Sequence, residues 1–244
     1  MKTNRERYLI VTSLLFVITE IIFTVLVQKV SGEANKYISY SSIVIACLFL
    51  LLFAEKTWEY LFAQVGLILT LCADYFLVLP DDIKQFPAMI FFSVVQLAYF
   101  MRIYLSTERK NIRTIHLCVR LGTVTLAIAL TFIVLGSAAD SVSVISMFYF
   151  SNLLINVIFA FAQFRKNYLL AIGLMLFACC DLLIGFSFLG NYLEIAPDSF
   201  AYKLAHPGMN LAWIFYVPSQ TLLALSLLPE RLKRISLFRK EAEG

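Results

Sequence analysis

Two aspartates are the last residues of two nearly identical nine-residue segments. Asp74 ends GLILTLCAD and Asp181 ends GLMLFACCD, and both phrases are apolar. A carboxylate at the centre of a membrane-spanning helix costs on the order of 2.5–3.5 kcal/mol, so such residues usually face a cavity or a partner. An Asp that only hydrogen-bonds a neighbouring helix is the alternative. Because the two contexts match, we favour a functional pair, either for general acid–base catalysis or for proton- or cation-coupled transport.

A second pair of phrases follows the aspartates at similar spacing. AMIFFSVVQ ends at Gln96 and AWIFYVPSQ ends at Gln220, and Phe92 of the first corresponds to Tyr216 of the second. The third and fourth helices and the seventh and eighth helices are therefore predicted to be two copies of one hairpin. The copies have the same orientation, which places equivalent positions around an axis along the membrane normal. No comparable match relates the other helices, so the parallel repeat is partial.

Further candidate residues are polar side chains on one face of a predicted helix. They are interpreted as ligand-binding residues: Gln96, Tyr99, Asn152, Asn156, Tyr216, Gln220 and, in the first helix, Glu20. For each of them, ordinary hydrogen bonding between helices fits the pattern equally well. Arg120 is expected to extend to the membrane surface, or else to meet a carboxylate or a phosphate. Pro218 is expected to kink the last helix.

The sequence predicts no metal site and no cofactor. His116 and His206 are the two histidines and lie near opposite faces of the membrane, so they cannot complete a three-histidine zinc site. The five cysteines lack metal-ligand spacing and are interpreted as small packing residues.

The elements that must position these residues are membrane-spanning helices. The 244 residues are 61% hydrophobic and 15% charged, with a mean hydropathy of +0.83, whereas soluble domains are about 45–50% apolar and about 25% charged. Apolar runs of about 20 residues are long enough to span a bilayer. Such runs predict an all-α, polytopic integral membrane protein with one domain over residues 1–244 and eight transmembrane helices, at about 8–29, 37–54, 58–79, 87–105, 113–136, 141–163, 168–189 and 208–228. We interpret the first as a retained helix rather than a cleaved signal peptide.

The distribution of positive charge predicts the orientation. If the N-terminus is cytoplasmic, all of the 20 Lys and Arg residues lie on or near that side except Lys29, Lys36, Lys84 and Lys203. This bias predicts that both termini are cytoplasmic, in the cell membrane. The net charge of +4 is interpreted as a topology signal and an attraction to anionic lipid, so the expected partner is the lipid bilayer and no nucleic acid. The oligomeric state stays open.

Four short motifs resemble the YhhN-like lysoplasmalogenase family. They are CADYFLV in the third helix, QLAYFMR in the fourth, CCDLLIG in the seventh and FYVPSQTLLAL in the eighth. The resemblance follows the helix order over nearly the whole chain. The sequence departs from the family pattern at Ala73, where Gly is frequent, at Cys180, where Ser is common, and at residues 217–219.

The resemblance implies a hydrolase for lysoplasmalogens, which are lysophospholipids with a vinyl ether. Cleavage would give a fatty aldehyde and a glycerophospho-base, with Asp74 and Asp181 as the catalytic residues. Protonation of the vinyl ether carbon gives an oxocarbenium ion, for which glycosidases use two carboxyl groups. Burial favours a protonated acid, and neighbouring carboxyl groups lose their protons in separate steps. Which aspartate is the acid stays open, and no metal is required.

Two other functions are alternatives to hydrolysis. A proton- or cation-coupled transporter of lipids or other small molecules also carries intramembrane carboxylates in repeated hairpins, although such proteins usually have broken helices in both halves. A zinc-dependent intramembrane lipid amidase, similar to alkaline ceramidases, would need a histidine cluster that the sequence lacks.

Overall fold

The protein is described from a computed structural model. The described residues are 4–192, 196, 199–205 and 210–229, and they form helices without any strand. The α-helices are α1 (Asn4–Lys29), α2 (Glu33–Phe53), α3 (Trp58–Val78), α4 (Gln85–Ser106), α5 (Lys110–Leu135), α6 (Ser141–Ala162), α7 (Phe164–Leu189), α8 (Phe200–Ala205) and α9 (Leu211–Leu225). A 3₁₀ turn at Gly136–Ala138 follows α5.

The predicted fold class is confirmed. The helices α1 to α7 are long and apolar enough to cross a membrane, and α9 is a shorter apolar helix of 15 residues. Two details differ from the prediction. The short helix α8 lies in the connection predicted as a loop, and α7 has non-helical backbone angles at Asn167. The predicted start of the last helix at residue 208, His206 and the basic residues after Pro229 lie outside the described residues.

Local sequence signals explain several helix ends. Asp140 caps α6, because its carboxylate accepts a hydrogen bond from the Ser143 backbone N–H while the Ser143 hydroxyl accepts one from the Asp140 backbone N–H. Thr57 caps α3 by accepting from the Tyr60 backbone N–H. Such reciprocal or single caps satisfy donors that a helix leaves unpaired at its first turn. Gly32 lies between α1 and α2 and has a positive φ of 73°, which residues other than Gly rarely adopt.

Contacts between connections define two ends of the bundle. At one end, which we call the far end, Lys36 pairs with Asp81 at 2.5 Å, Gln28 hydrogen-bonds Asn210, and Tyr192 hydrogen-bonds Asp140. The Lys36 ammonium also holds the pKa of Asp81 below its usual range. At the opposite end, the Glu55 backbone N–H donates to the Leu227 carbonyl at 3.0 Å. The helices therefore run alternately between the two ends, as short connections require.

The two predicted hairpins, α3–α4 and α7–α9, are each tightly packed. A Cβ added at Gly66 would lie 3.5 Å from Ala98 and 3.7 Å from the Tyr99 ring. The equivalent Gly173 is tighter, because a Cβ there would lie 3.0 Å from the Leu223 side chain. Leu223 occupies the position that corresponds to Tyr99 in the repeat. Equivalent glycines therefore allow equivalent helix pairs to approach closely.

Arg102 links the last turns of the two hairpins. Its Nη1 donates to Ser226 Oγ at 2.7 Å and its Nη2 donates to the Ser226 carbonyl at 2.8 Å. Arg102 is fully buried and lies 5.1 Å from the centroid of the Tyr60 ring. Arg102 and Ser226 each lie six residues after the glutamine of their own copy. A contact between equivalent positions is expected near the axis that relates two copies.

Candidate active site

Asp74 lies in α3 one turn before the helix ends at Val78. Its side chain is buried, with 3% of the residue exposed. The Tyr216 hydroxyl, from α9, donates a hydrogen bond of 2.6 Å to Asp74 Oδ2. The first aspartate is therefore held by a residue of the second hairpin, and the candidate site lies between the two copies of the repeat.

Asp181 lies in α7 and is only partly buried. The Tyr149 hydroxyl, from α6, donates a hydrogen bond to Asp181 Oδ2. In the repeat, Tyr216 corresponds to Phe92, which has no hydroxyl to offer. The donor to the second aspartate therefore comes from a different helix.

The two aspartates belong to one cluster. Their carboxyl groups are close enough to interact electrostatically. The rings of Phe92 and Phe177 connect the two tyrosines that bind these carboxyl groups. Ring centroids are 5.4 Å apart for Phe92 and Tyr149, 5.8 Å for Phe92 and Phe177, and 5.5 Å for Phe177 and Tyr216. We call the two Asp–Tyr pairs and these two phenylalanines the Asp–Tyr cluster. It combines two carboxyl groups with aromatic side chains from α4, α6, α7 and α9.

A second polar cluster lies beside the first along α6. Asn156 donates through Nδ2 to the Gln96 backbone carbonyl at 2.8 Å and to Gln96 Oε1 at 3.0 Å. Arg120 Nη2 donates to Asn156 Oδ1 at 2.5 Å, and Arg120 Nη1 donates to Asn152 Oδ1. Asn152 is one helical turn from Tyr149, so the two clusters occupy the same face of α6.

The expectation that Arg120 extends to the membrane surface is wrong. Arg120 is 6% exposed, and its guanidinium lies 4.3 Å from the centroid of the Phe100 ring. Its Nη2 is also 3.2 Å from His116 Nε2. Two amide oxygens and an aromatic face compensate for the water that the guanidinium loses, which makes the buried position stable. Within the described chain, no carboxylate forms an ion pair with Arg120.

The remaining candidate residues have separate surroundings. Gln220 is buried, and neither its Nε2 nor its Oε1 has a hydrogen-bond partner among the described residues. The buried hydroxyl of Tyr99 also has no partner there. Glu20 accepts a hydrogen bond of 2.5 Å from Ser42 in α2, so it lies outside the Asp–Tyr cluster. Pro218 lies within α9, whose helix continues on both sides of it.

Sequence reasoning missed the role of Tyr149. The candidates predicted from the sequence include Asn152 and Asn156 on α6 but not Tyr149. The comparison of the two hairpins contained the relevant signal, since Phe92 stands where Tyr216 provides a hydroxyl. A carboxylate within a membrane-spanning helix needs a hydrogen-bond donor, so the second aspartate required one from outside the repeat.

Side chains that could ligate a metal ion do not cluster in the part of the chain that the structure describes. No group of three or more His, Cys, Asp or Glu side chains there could hold a metal ion. The five cysteines are free, with Cys47 and Cys180 buried and Cys118 exposed. The Asp–Tyr cluster offers a pair of carboxyl groups, each in contact with a tyrosine hydroxyl.

These features define a class: a multi-pass helical membrane protein with a pair of intramembrane aspartates between two similar hairpins. Residues 35–227 match the YhhN family, and the chain belongs to that family. Searches of curated proteins and of solved structures found no match to the chain.

Proposed function

We propose that the protein hydrolyses the vinyl ether bond of lysoplasmalogens, releasing a fatty aldehyde and a glycerophospho-base. The observation that carries this proposal is the Asp–Tyr cluster, where Asp74 and Asp181 interact within one aromatic surround. Membership of the YhhN family supports the same function, through the resemblance of its motifs to lysoplasmalogenases.

The chemistry needs an acid and a base. One carboxylic acid protonates the β-carbon of the vinyl ether, and the carbon next to the oxygen becomes an oxocarbenium ion. The other carboxylate stabilises this cation and removes a proton from the water that attacks it, as glycosidases do. In the resulting hemiacetal, the glycerol oxygen takes a proton from the protonated base as its bond to carbon breaks. The hemiacetal hydroxyl gives its proton to the other carboxylate, which leaves the aldehyde and restores both groups.

The different exposure of the two aspartates supports an assignment of roles. Asp181 is partly exposed, whereas Asp74 is 3% exposed. A water molecule has more room beside the less enclosed carboxylate, so we assign Asp181 as the base. Asp74 is then the acid, and the Tyr216 and Tyr149 hydroxyls keep the two carboxyl groups in place.

Location and orientation belong to the same proposal. The protein is proposed to lie in the cell membrane with both termini in the cytoplasm, because Lys and Arg are concentrated on that side of the predicted topology. The far end of the bundle would then face away from the cytoplasm. The Asp–Tyr cluster would lie in the outer half of the bilayer.

The test measures chemical conversion of a lipid. Purified protein with a chelator present should release aldehyde from a lysoplasmalogen and leave the equivalent alkyl ether unchanged, because a saturated ether has no double bond to protonate. The alkyl ether should inhibit the reaction, since it shares every contact except the reacting one. If neither lipid is converted while both cross a bilayer, the protein is a transporter instead. Loss of activity with the chelator would contradict a metal-free reaction.

A further inference from the structure

A large groove opens on the side of the bundle between α4, α5 and α6. Both α4 and α5 pack against α6 but make little contact with each other. The space between them has a volume of about 760 Å³ and is lined by apolar side chains that include Ile90, Val94, Phe132 and Ile145. Ligand pockets typically have volumes of about 300–1,000 Å³. The groove is therefore large enough for a small lipid.

The far-end rim of the groove carries one negative charge. Asp140 lies there with Ser141, just before α6 begins. Its carboxylate accepts hydrogen bonds from the Ser143 N–H at 2.7 Å and from the Tyr192 hydroxyl at 3.1 and 3.2 Å. Across the described ranges, the ion pairs are Lys36–Asp81, Lys84–Asp82 and Lys166–Glu108. The charge of Asp140 is therefore not neutralised by a described side chain, and it complements a cation.

The groove and the Asp–Tyr cluster share a wall. Ser93 and Phe148 line the groove. Their neighbours Phe92 and Tyr149 pack against each other at 5.4 Å between ring centroids, and the Tyr149 hydroxyl binds Asp181. One layer of aromatic side chains thus separates the groove from the candidate catalytic residues.

We propose that this groove binds a single-chain lipid, with its ammonium head group at Asp140 and Tyr192 and its chain along the apolar wall. The choice of a single-chain lipid rests on the proposed function, whereas the charge and the apolar lining come from the groove itself. Asp140 and Tyr149 are nine residues apart on α6, which corresponds to about 13 Å along a helix. The ethanolamine, phosphate and glycerol units of a lysoplasmalogen separate its ammonium from its vinyl ether by a comparable length. Displacement of the Phe92 and Tyr149 rings would then open the vinyl ether to the Asp–Tyr cluster, which holds both the acid and the base.

The experiment measures binding without catalysis. A radiolabelled alkyl ether lysophosphatidylethanolamine, which cannot be hydrolysed by vinyl ether chemistry, is titrated onto purified protein in nanodiscs. Ile145→Trp fills the groove, and Ile133→Trp places the same ring at a position of α5 that is 75% exposed. Asp140→Asn removes the charge but keeps a good helix cap. Asp82→Asn is its control, because Asp82 is an exposed carboxylate paired with Lys84.

The expected results differ among these variants. Ile145→Trp should weaken binding at least about tenfold, the scale of an overpacking penalty, whereas Ile133→Trp should bind as the wild type does. Asp140→Asn should weaken binding about three- to fivefold, as expected for a partly exposed charge pair. Asp140→Asn should not weaken binding of the alkyl ether lysophosphatidic acid, which lacks the ammonium. Asp82→Asn should change neither affinity.

Several outcomes would overturn the inference. One such outcome is folded Ile145→Trp protein that binds the lipid with wild-type affinity. If Ile145→Trp does not fold, Val94→Trp provides the same test, because Val94 of α4 also lines the groove. If diacyl phosphatidylethanolamine competes as well as the single-chain lipid does, the groove binds ordinary membrane lipids and is not specific for a single chain. The proposed function fails separately: wild-type protein that binds the alkyl ether through the groove but releases no aldehyde from the vinyl ether would refute hydrolysis and leave the binding site intact.

Discussion

The Tyr216 hydroxyl donates a hydrogen bond of 2.6 Å to the Asp74 carboxylate and so joins the last helix of the second hairpin to the third helix of the bundle. Asp181 has no equivalent partner in the first hairpin, because Phe92 replaces the tyrosine, and it is bound by Tyr149 of α6 instead. The two aspartates therefore occupy similar sequence contexts but different surroundings. Division of an acid and a base role between them requires such a difference.

Removal of either tyrosine hydroxyl should reduce catalysis. Tyr216→Phe and Tyr149→Phe keep the ring contacts with Phe177 and Phe92 but leave a carboxyl oxygen without its donor. We expect kcat to fall by about 10- to 100-fold, because a misplaced catalytic group loses effective orientation. The measurement is the rate of aldehyde release at saturating lysoplasmalogen. Tyr75→Phe is the control, since Tyr75 is next to Asp74 in sequence but 49% exposed.

The two repeat glycines should respond differently to the same substitution. Gly173→Ala should destabilise the protein by about 1–3 kcal/mol, because the new methyl group would lie 3.0 Å from Leu223. Gly66→Ala should be nearly neutral, since its nearest neighbour would be at an ordinary contact distance of 3.5 Å. Thermal unfolding in detergent measures both. A Gly66→Ala protein that unfolds at a lower temperature than Gly173→Ala would contradict the packing described for the two hairpins.

Arg120 should stabilise the bundle through its forked contacts. Arg120→Met leaves the Asn152 and Asn156 oxygens without their donor, and we expect a loss of roughly 1–3 kcal/mol for each unsatisfied group. Arg120→Lys should also destabilise the protein, because an ammonium cannot reproduce the geometry of a guanidinium. Unfolding temperatures test this, with Arg109→Lys as the control, because Arg109 is exposed and its side chain makes no capping hydrogen bond to α5. Unchanged stability of Arg120→Met would show that these contacts contribute little.

The proposed orientation predicts which connections face away from the cytoplasm. Cysteines replacing Lys84 and Lys203, introduced after the native cysteines are removed, should react with an impermeant thiol reagent added outside intact cells. Cysteines replacing Lys110 and Lys166 should react only after the membrane is opened. If the cysteines at positions 84 and 203 react only from the cytoplasmic side, the orientation is the reverse of the proposed one. The Asp–Tyr cluster would then lie in the inner half of the bilayer.

The sequence was a better guide to helices than to side-chain partners. Apolar length determines whether a segment spans the membrane, so α1 to α7 and α9 could be predicted. The repeat also led to Asp74 and Asp181 before their surroundings were known. The partner of Asp181 could not be predicted, because spacing along α6 shows which residues share a face but not which helix faces them. The position of Arg120 along α5 could be predicted from the sequence. Its burial could not, because it depends on hydrogen bonds to two amide oxygens of α6.

The central claim is that Asp74 and Asp181 act together in catalysis, and the direct measurement is aldehyde release by their asparagine variants. Asp74→Asn and Asp181→Asn keep the side-chain shape but cannot transfer the proton, so each should lower the rate by at least about 10²-fold in folded protein. The double variant should be little slower than either single one, because the two groups serve one reaction. Asp82→Asn should retain wild-type activity. Single variants that release aldehyde as fast as Asp82→Asn would contradict the account and leave the two aspartates with a packing role.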